Sequence, residues 1–396
     1  MTVQEHPFSL KALQVYAVTI LFYSIIYMVL MVLPFYSITI GASKTQIGLI
    51  MGATMLASTI ARPIAGKIID RYGTGKVFVI GLLIFAISLS GYFFPSIGMF
   101  VIVRLIQGVV AAFFSTAMEI ITMDLLSERM RAQGLSLYSL ATILPTTFGP
   151  AIALLLKDYM PMSWIFFLFF TMGVGNFVFG LLISRRVQSQ IEHKQSNHSP
   201  FLGSWKHRIL LLSSGIMLLA SIANGAIFTF LPLYLEQNGS NFAEIYFLIQ
   251  TLVLVFSRFW GRKWIPSDGT VPYKVVFLTI TLAAAGTLLI GVSNSPTWLS
   301  IAAICNGVAF SLLYPALLTF VSFSVPHQNR GFLLGLFIGA ADLGFAMGAL
   351  VMGPLADGTS FSLMFITCSI CCLLALVFIP GYRRNQLKKE QKKEAV

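Results

Sequence analysis

The sequence predicts an all-α membrane protein with twelve transmembrane helices, arranged as two pseudo-symmetric bundles of six. The 396 residues are 57% hydrophobic and only 10% charged, with a mean hydropathy of +0.85. A soluble domain carries about a quarter charged residues, so this composition excludes an ordinary soluble protein. The chain also has room for roughly twelve segments of about 20 apolar residues, the length that crosses a bilayer. Finally, the two halves of the chain resemble each other weakly.

Twelve apolar segments follow one another along the chain. The first is too long for the core of a signal peptide and has no small-residue cleavage site, so we expect an uncleaved helix. The predicted spans are residues 12–34, 45–66, 76–94, 98–122, 133–156, 163–184, 209–233, 242–262, 274–293, 298–324, 331–355 and 361–380.

The basic residues are divided unequally between the two sides of these spans. Of 26 Lys and Arg residues, only Lys44 and Lys157 fall on the predicted outer side. Arg62, Arg104 and Arg258 fall within spans, and all the others lie on the side of the two termini. Cytoplasmic loops carry such an excess of positive charge, so both termini are predicted to be cytoplasmic. The net charge of +12 therefore reflects topology and does not indicate a nucleic-acid partner.

A polar segment in the middle of the chain separates the two predicted bundles. We assign residues 1–184 to the first bundle, 185–208 to a cytoplasmic linker, 209–380 to the second bundle and 381–396 to a basic tail. His193, His198 and His207 lie in or beside the linker. A polar linker explains them more simply than a metal site, and we predict neither metal nor cofactor.

The two halves match at two constant offsets. Gln107-Gly108 aligns with Asn306-Gly307 at an offset of 199, and Arg62 aligns with Arg258 at an offset of 196. These matches indicate a parallel repeat of six helices.

Charged residues inside spans are the first candidates for function. A charge at the centre of a membrane helix costs about 3 kcal/mol on insertion scales, so charges kept there are functional candidates by default. Arg104 lies in the fourth span and Asp342 in the eleventh, while Glu119 lies towards the inner end of the fourth. Gly335 shares a face with Asp342, and small residues mark faces that pack on other helices, so we expect Asp342 to face inward.

The roles of these charges stay open at this level. Asp342 suits a proton carrier, a cation-binding carboxylate or the structural partner of an arginine. Arg104, taken as a residue alone, suits helix packing through bonds to backbone carbonyls.

The segment between the second and third spans resembles the signature loop of the major facilitator superfamily. Gly66, Asp70, Arg71, Gly73 and Lys76 fill the family positions. The resemblance implies a gating charge network built on Asp70 that latches the cytoplasmic side. Further members are drawn from the inner-face charges. Arg131 is one of them, and the resemblance implies that Glu119 and Asp124 pair with the basic residues of the signature segment. One departure is Gly75, where the family usually carries a second basic residue.

Two further segments resemble transporters that export their substrates. Arg104-x-x-Gln107-Gly108 matches an exporter pattern, which implies a buried arginine that handles protons near the cavity. Gly149-Pro150 is a partial match to the exporters' glycine-proline motif, and it predicts a helix kink. A narrower resemblance, to bacterial exporters of staphylopine-type opine metallophores, is carried by Met51-Gly52-Ala53, Arg62-Pro63-x-Ala65-Gly66, Ala112-Phe113-Phe114-Ser115 and Ser136-Leu137-Tyr138-Ser139-Leu140.

Polar and aromatic side chains within the spans are candidates for a substrate cavity. They are Tyr16, Tyr23, Tyr27 and Gln107 in the first half and Asn224, Gln250, Asn306 and Tyr314 in the second. Such groups, with a buried cation and a buried acid, suit a small amphoteric solute. They suit a promiscuous drug pocket equally well.

The sequence thus predicts a monomeric secondary transporter of the bacterial inner or plasma membrane. We expect it to export a small amphoteric solute, an opine-type metallophore, by alternating access with proton antiport. The alternatives are a multidrug:proton antiporter and an importer of small organic anions. No P-loop is present, so ATP is not the expected motor. A membrane enzyme would need a catalytic set, and neither H-E-x-x-H nor G-x-S-x-G occurs.

Overall fold

The computed structural model describes residues 6–126, 130–187, 208–261, 264, 272–324 and 330–380, and most of these residues are helical. The α-helices of these ranges are α1 Leu10–Thr39, α2 Lys44–Tyr72, α3 Thr74–Leu89, α4 Ile97–Leu125, α5 Arg131–Tyr159, α6 Met162–Val187, α7 Arg208–Gln237, α8 Ala243–Gly261, α9 Tyr273–Val292, α10 Pro296–Ser324, α11 Arg330–Leu350, α12 Met352–Gly358 and α13 Phe361–Leu374. Short 3₁₀ turns, Ser90–Phe93 and Ala375–Phe378, prolong α3 and α13.

Each predicted span overlaps a helix. In the described part of the chain, 11 helical segments are long and apolar enough to cross a membrane. The eighth predicted span coincides with α8, a helix of 19 residues that is not one of those 11. The structure therefore confirms a polytopic helical protein, and the total of twelve spans stays a prediction.

The second span continues further than predicted. It was expected to end at residue 66, but α2 extends to Tyr72, so Asp70 and Arg71 lie in its last helical turn. Only Gly73 separates α2 from α3, with a φ of 87° that L side chains rarely adopt. The predicted loop is therefore mostly helix, because nothing between Pro63 and Gly73 stops the hydrogen-bond ladder.

The eleventh predicted span is divided into α11 and α12. Pro354 lies in the first turn of α12, and proline has no N–H to donate to the carbonyl of Leu350. The regular helix accordingly ends at Leu350 and resumes at Met352.

The first turn of α2 has an unusually complete cap. Ser43 and Gln46 form a capping box, in which the Ser43 amide donates to Gln46 Oε1 at 2.9 Å and the Gln46 amide donates to Ser43 Oγ at 3.2 Å. The Asp357 carboxylate accepts from the backbone amides of Lys44 and Thr45 at 3.1 and 2.7 Å. These four amides would otherwise lack partners at the helix start. Asp357 therefore fixes α2 to the end of α12.

Packing divides the chain into two compact units. The first contains the described residues of Met1–Ala42 and Ala53–Ser199, and the second contains those of Ser43–Gly52 and Pro200–Val396. The start of α2 thus packs with the second unit. Most of the predicted linker and the whole predicted tail lie outside the described residues. The domain boundaries given above stay predictions.

The internal repeat has a structural counterpart in each unit. In the first, a Cβ atom added at Gly108 of α4 would lie 2.1 Å from the backbone oxygen of Thr54 in α2. In the second, a Cβ atom added at Gly307 of α10 would lie 2.6 Å from the backbone oxygen of Gln250 in α8. These positions are related by the offsets of 199 and 196 found in the sequence. The repeat therefore preserves a close contact between two helices.

Candidate functional site

Arg104 is buried in the interior of the first unit. Its side chain is only 1% exposed, and its guanidinium contacts the hydroxyl of Tyr92. Tyr92 lies in the 3₁₀ turn after α3, with its ring against those of Phe100 and Phe166 at centroid distances of 5.8 and 5.1 Å. The Tyr92 hydroxyl donates to Gln107 Oε1 at 2.9 Å. The fold thus places Tyr92 beside both predicted site residues of α4.

Several donors of this cluster have no partner. Among the described residues, Arg104 Nε, Arg104 Nη1 and Gln107 Nε2 make no hydrogen bond. Removing a charged donor from water without a partner is costly, and such groups are rare in folded proteins. The arrangement therefore suits a group that brings negative charge.

A second charged cluster joins four helices of the same unit. The Glu119 carboxylate of α4 lies within electrostatic reach of the Arg62 guanidinium of α2. Tyr138 of α5 interacts electrostatically with both, and with Tyr23 of α1. The Tyr138 hydroxyl also donates to the backbone oxygen of Ser115 at 3.3 Å. Glu119 was expected to pair with the basic residues of the signature segment, and the partner that the structure gives it is Arg62, within the span.

The pairing of Arg62 with Glu119 can be tested by a double-mutant cycle. We expect Arg62→Gln and Glu119→Gln each to lower the free energy of unfolding, and the double variant to lose less than their sum. The expected coupling is about 0.5–3 kcal/mol, because the two side chains share one interaction. The measurement is unfolding of the purified protein in detergent. Arg71→Gln, in the exposed last turn of α2, is the control and should be additive with Glu119→Gln. Additivity of Arg62→Gln as well would contradict the pairing.

The signature segment is described only in part. Gly73 forms the turn, and a Cβ atom added at Gly66 would meet no atom within 4 Å. Arg71 is exposed and lies over the Tyr72 ring, with 5.4 Å from its guanidinium carbon to the ring centroid. Lys76 and Asp124 are exposed, whereas the side chains of Asp70 and Arg131 lie outside the described residues. The predicted latch therefore stays a prediction.

Gly149 and Pro150 do not interrupt α5, which is continuous from Arg131 to Tyr159. Gly149 instead lies against α1, since a Cβ atom added there would be 3.1 Å from the Cβ of Tyr27. Its repeat partner Gly348 lies in the same way against α7, since a Cβ atom added there would be 2.2 Å from the backbone oxygen of Ile222. Gly149 and Gly348 therefore both allow two helices to pack closely. The predicted kink at Gly149 and Pro150 stays a prediction.

The predicted cavity residues differ in exposure. Tyr23, Tyr27, Asn224 and Tyr314 are half-buried, whereas Tyr16, Gln107, Gln250 and Asn306 are buried. The Tyr16 hydroxyl donates to the backbone oxygen of Gly134 at 3.4 Å, which ties α1 to α5.

The second unit contains an amide–phenol pair that parallels Gln107 and Tyr92. Asn306 Nδ2 donates to the hydroxyl of Tyr246 at 2.9 Å, and both side chains are fully buried. In the described part of the chain, Asn306 Oδ1 and Gln250 Oε1 have no hydrogen-bond partner. Each unit thus keeps an amide before its packing glycine. Among the residues that the structure describes, an arginine joins that amide in the first unit only.

Arg258 shows where the repeat has diverged. It is the repeat partner of Arg62, and its guanidinium interacts electrostatically with the hydroxyl of Tyr314. The position that matches Glu119 at an offset of 199 is Leu318. The carboxylate partner therefore belongs to the first copy.

Asp342 is half-buried on α11. This helix packs on α7 through Gly344 and Gly348, whose added Cβ atoms would lie 2.2 Å from backbone oxygens of α7. These glycines lie about 120–160° around the helix from Asp342. A Cβ atom added at Gly335 would meet no atom within 4 Å. The close contacts of α11 with α7 therefore lie on a different face from Gly335, and the expectation that Asp342 faces inward stays a prediction.

Sequence reasoning missed Tyr92, Tyr246 and Tyr138 as site residues and gave Arg62 no role. The signal for Arg62 was available, since it is one of only three basic residues within spans. Nothing in the sequence singled out the three tyrosines, because aromatic residues are common in membrane spans. Hydropathy also does not show which helices are neighbours in the fold.

Comparison with known proteins identifies the family. Residues 15–269 and 269–396 match the family model of the Major Facilitator Superfamily. The staphylopine export protein of Staphylococcus aureus is 34% identical over 373 residues, covering 92% of this chain and 94% of that protein. Multidrug resistance protein MdtG of Enterobacter lignolyticus is 23% identical over 363 residues, covering 87% of this chain and 85% of that protein.

Solved structures show the same fold. A POT family transporter in complex with a thioalcohol conjugated peptide superimposes with a TM-score of 0.77, covering 96% of this chain and 99% of that chain at 13% identity. Because the family model matches nearly the whole chain and one relative is 34% identical across 92% of it, the chain belongs to the Major Facilitator Superfamily of membrane transporters.

Proposed function

We propose that the protein is a secondary transporter that exports a small amphoteric solute, an opine-type metallophore, in exchange for protons. The observation that carries this proposal is the 34% identity to the staphylopine export protein over 92% of the chain. The match extends over both units. It therefore supports a shared substrate class more strongly than any single motif does.

The charges within the spans support an amphoteric substrate. A metallophore of this type carries carboxylates, amines and an imidazole, so its binding needs both cations and anions. The first unit offers Arg104 and the pair of Arg62 with Glu119, and the second offers Asp342. Each such charge costs about 3 kcal/mol on insertion scales, which favours a functional reason for keeping it.

The proposed mechanism is alternating access between two six-helix units, with both termini in the cytoplasm. A carboxylate that binds a substrate ammonium cannot hold a proton at the same time. Protonation from outside would therefore release the solute, which is the exchange that export requires. Asp342 and Glu119 are the carboxylates proposed for this step, with Arg104 close to the cavity.

A multidrug:proton antiporter is the second candidate. It is favoured by the 23% identity to MdtG over 87% of the chain. The half-buried Tyr23 and Tyr27, with ring centroids 6.4 Å apart, would suit flat cationic drugs.

Deletion of the gene separates the two candidates. We expect the deletion strain to accumulate a carboxylate-rich metal chelator inside the cell and to secrete little of it, because no other route should carry so polar a solute. Mass spectrometry of cells and medium is the measurement, and the wild-type gene on a plasmid is the control. Sensitivity to dyes and cationic antibiotics should change little. Unaltered chelator secretion with strong dye sensitivity would favour the multidrug function.

A further inference from the structure

The cluster around Arg104 contains hydrogen-bond donors in excess. A guanidinium has five N–H donors and no acceptor, so the Tyr92 oxygen must accept from Arg104 where the two meet. The Tyr92 proton is then directed to Gln107 Oε1, 2.9 Å away. This chain of bonds determines the orientation of the Gln107 amide, because its oxygen is taken by Tyr92 and its NH₂ group must point elsewhere.

The groups left over are therefore all donors. Arg104 Nε, Arg104 Nη1 and Gln107 Nε2 are buried and make no hydrogen bond among the described residues. Water satisfies such a set poorly, because a water molecule must also donate its own two protons. A carboxylate has only acceptor sites at neutral pH, about four of them, and adds the negative charge that the guanidinium lacks.

The exposure pattern of α4 shows where this cluster is reached. Ile102 and Val109 are exposed on one side of the helix, where lipid is expected, at 52% and 40%. Arg104 and Gln107 lie on the opposite side, and Ala111, about 6 Å further along the axis from Gln107, is partly exposed on that same side. A partly exposed position of α4 therefore lies one turn beyond the cluster, on the side that Arg104 and Gln107 share.

We propose that Arg104, Tyr92 and Gln107 form a subsite for one carboxylate of the transported solute. The proposal rests on the proposed function and makes its substrate class more specific. Tyr92 acts as a positioning residue, because it holds the Gln107 amide with its NH₂ group towards the ligand. Arg104 provides the charge, and Gln107 provides the additional donors.

The repeat provides a matched pair of variants. Gln107→Glu replaces the outward NH₂ group with an oxygen and gives Arg104 a carboxylate of its own. Asn306→Asp makes the same amide-to-acid change at the repeat position, where no described side chain adds a positive charge to the Asn306–Tyr246 pair. We therefore expect the two variants to shift the unfolding temperature in opposite directions.

The experiment uses the purified full-length protein in nanodiscs. Unfolding is followed by intrinsic fluorescence, and binding of staphylopine and of sodium acetate by titration calorimetry. We expect Gln107→Glu to unfold at a higher temperature than wild type and to bind staphylopine at least tenfold more weakly. Acetate should raise the unfolding temperature of wild type but not of Gln107→Glu. Asn306→Asp should unfold at a lower temperature than wild type.

The possible results separate a failure of the carboxylate subsite from a failure of the proposed substrate. If Gln107→Glu unfolds at a lower temperature than wild type, the cluster does not hold an anion and the proposal is wrong. If acetate stabilises wild type but staphylopine binds equally to wild type and Gln107→Glu, the site holds a free anion and the substrate assignment is overturned. If wild type binds no staphylopine while acetate still discriminates between the two proteins, the carboxylate subsite stands and the proposed metallophore is wrong.

Discussion

Asp342→Asn is expected to abolish solute movement driven by a proton gradient. Asparagine matches aspartate in size and polarity but cannot carry a proton, and Asp342 is half-buried within a span of α11. The loss should be at least a hundredfold in uptake by everted vesicles or proteoliposomes with an imposed pH gradient, since no protonatable group would remain at that position. Exchange of labelled for unlabelled solute without a gradient should persist. It needs solute binding and the conformational change of alternating access, but no net proton transfer.

Asp158→Asn is the matched control for this experiment. Asp158 lies at the end of α5, where its exposed side chain forms an ion pair with Lys157 at 3.6 Å. Such pairs contribute little to stability, so transport should be near wild type. If Asp342→Asn still concentrates solute against its gradient, the coupling proton is held elsewhere, and Glu119 is then the next carboxylate to change.

Gly108→Ala is expected to be the most damaging small substitution in the first unit. The added methyl group would lie 2.1 Å from the backbone oxygen of Thr54 and 2.9 Å from the Cβ of Ala57. Both are parts of α2 that cannot rotate away, so the helices must separate. We expect a loss of about 3 kcal/mol in the free energy of unfolding, at the upper end for overpacking. Unfolding of the purified protein in detergent is the measurement.

Gly175→Ala in α6 is the control, because a Cβ atom there would meet nothing within 4 Å. It should not lower stability and should raise it by at most about 1 kcal/mol, because alanine favours a helix more than glycine does. Gly307→Ala should repeat the damage in the second unit, where the added methyl group would lie 2.6 Å from the backbone oxygen of Gln250. Wild-type stability of both Gly108→Ala and Gly307→Ala would contradict the view that the repeat preserves these contacts.

The sequence predicted the helices well because each span is long and apolar. Its errors lie where a local signal competed with hydropathy. The second span was ended too early because charge was taken as a stop, although α2 continues to Gly73, the first residue whose backbone breaks the helix. The break before Pro354 was missed because the segment is apolar on both sides of it. The family membership was confirmed, since the signature residues and the family model agree.

The candidate site was predicted only in part. The in-span charges were found from their cost in a membrane, and this identified Arg104, Glu119 and Asp342. Their partners were not found, because hydropathy gives the order of helices and not their neighbours. Tyr92 meets Arg104 only because a 3₁₀ turn brings the end of α3 beside α4. Arg62 comes within electrostatic reach of Glu119 only because α2 packs on α4.

The cap on α2 has a consequence for how the protein is made. Lys44 leaves the ribosome 313 residues before Asp357, whose carboxylate accepts from its amide. At about 5–20 residues per second, the start of α2 waits roughly 15–60 s for that partner. During this interval the capping box of Ser43 and Gln46 alone orders the first turn. The second helix of the nascent chain therefore gains its full cap only after the eleventh span has been synthesised, so its final position is set late in biogenesis.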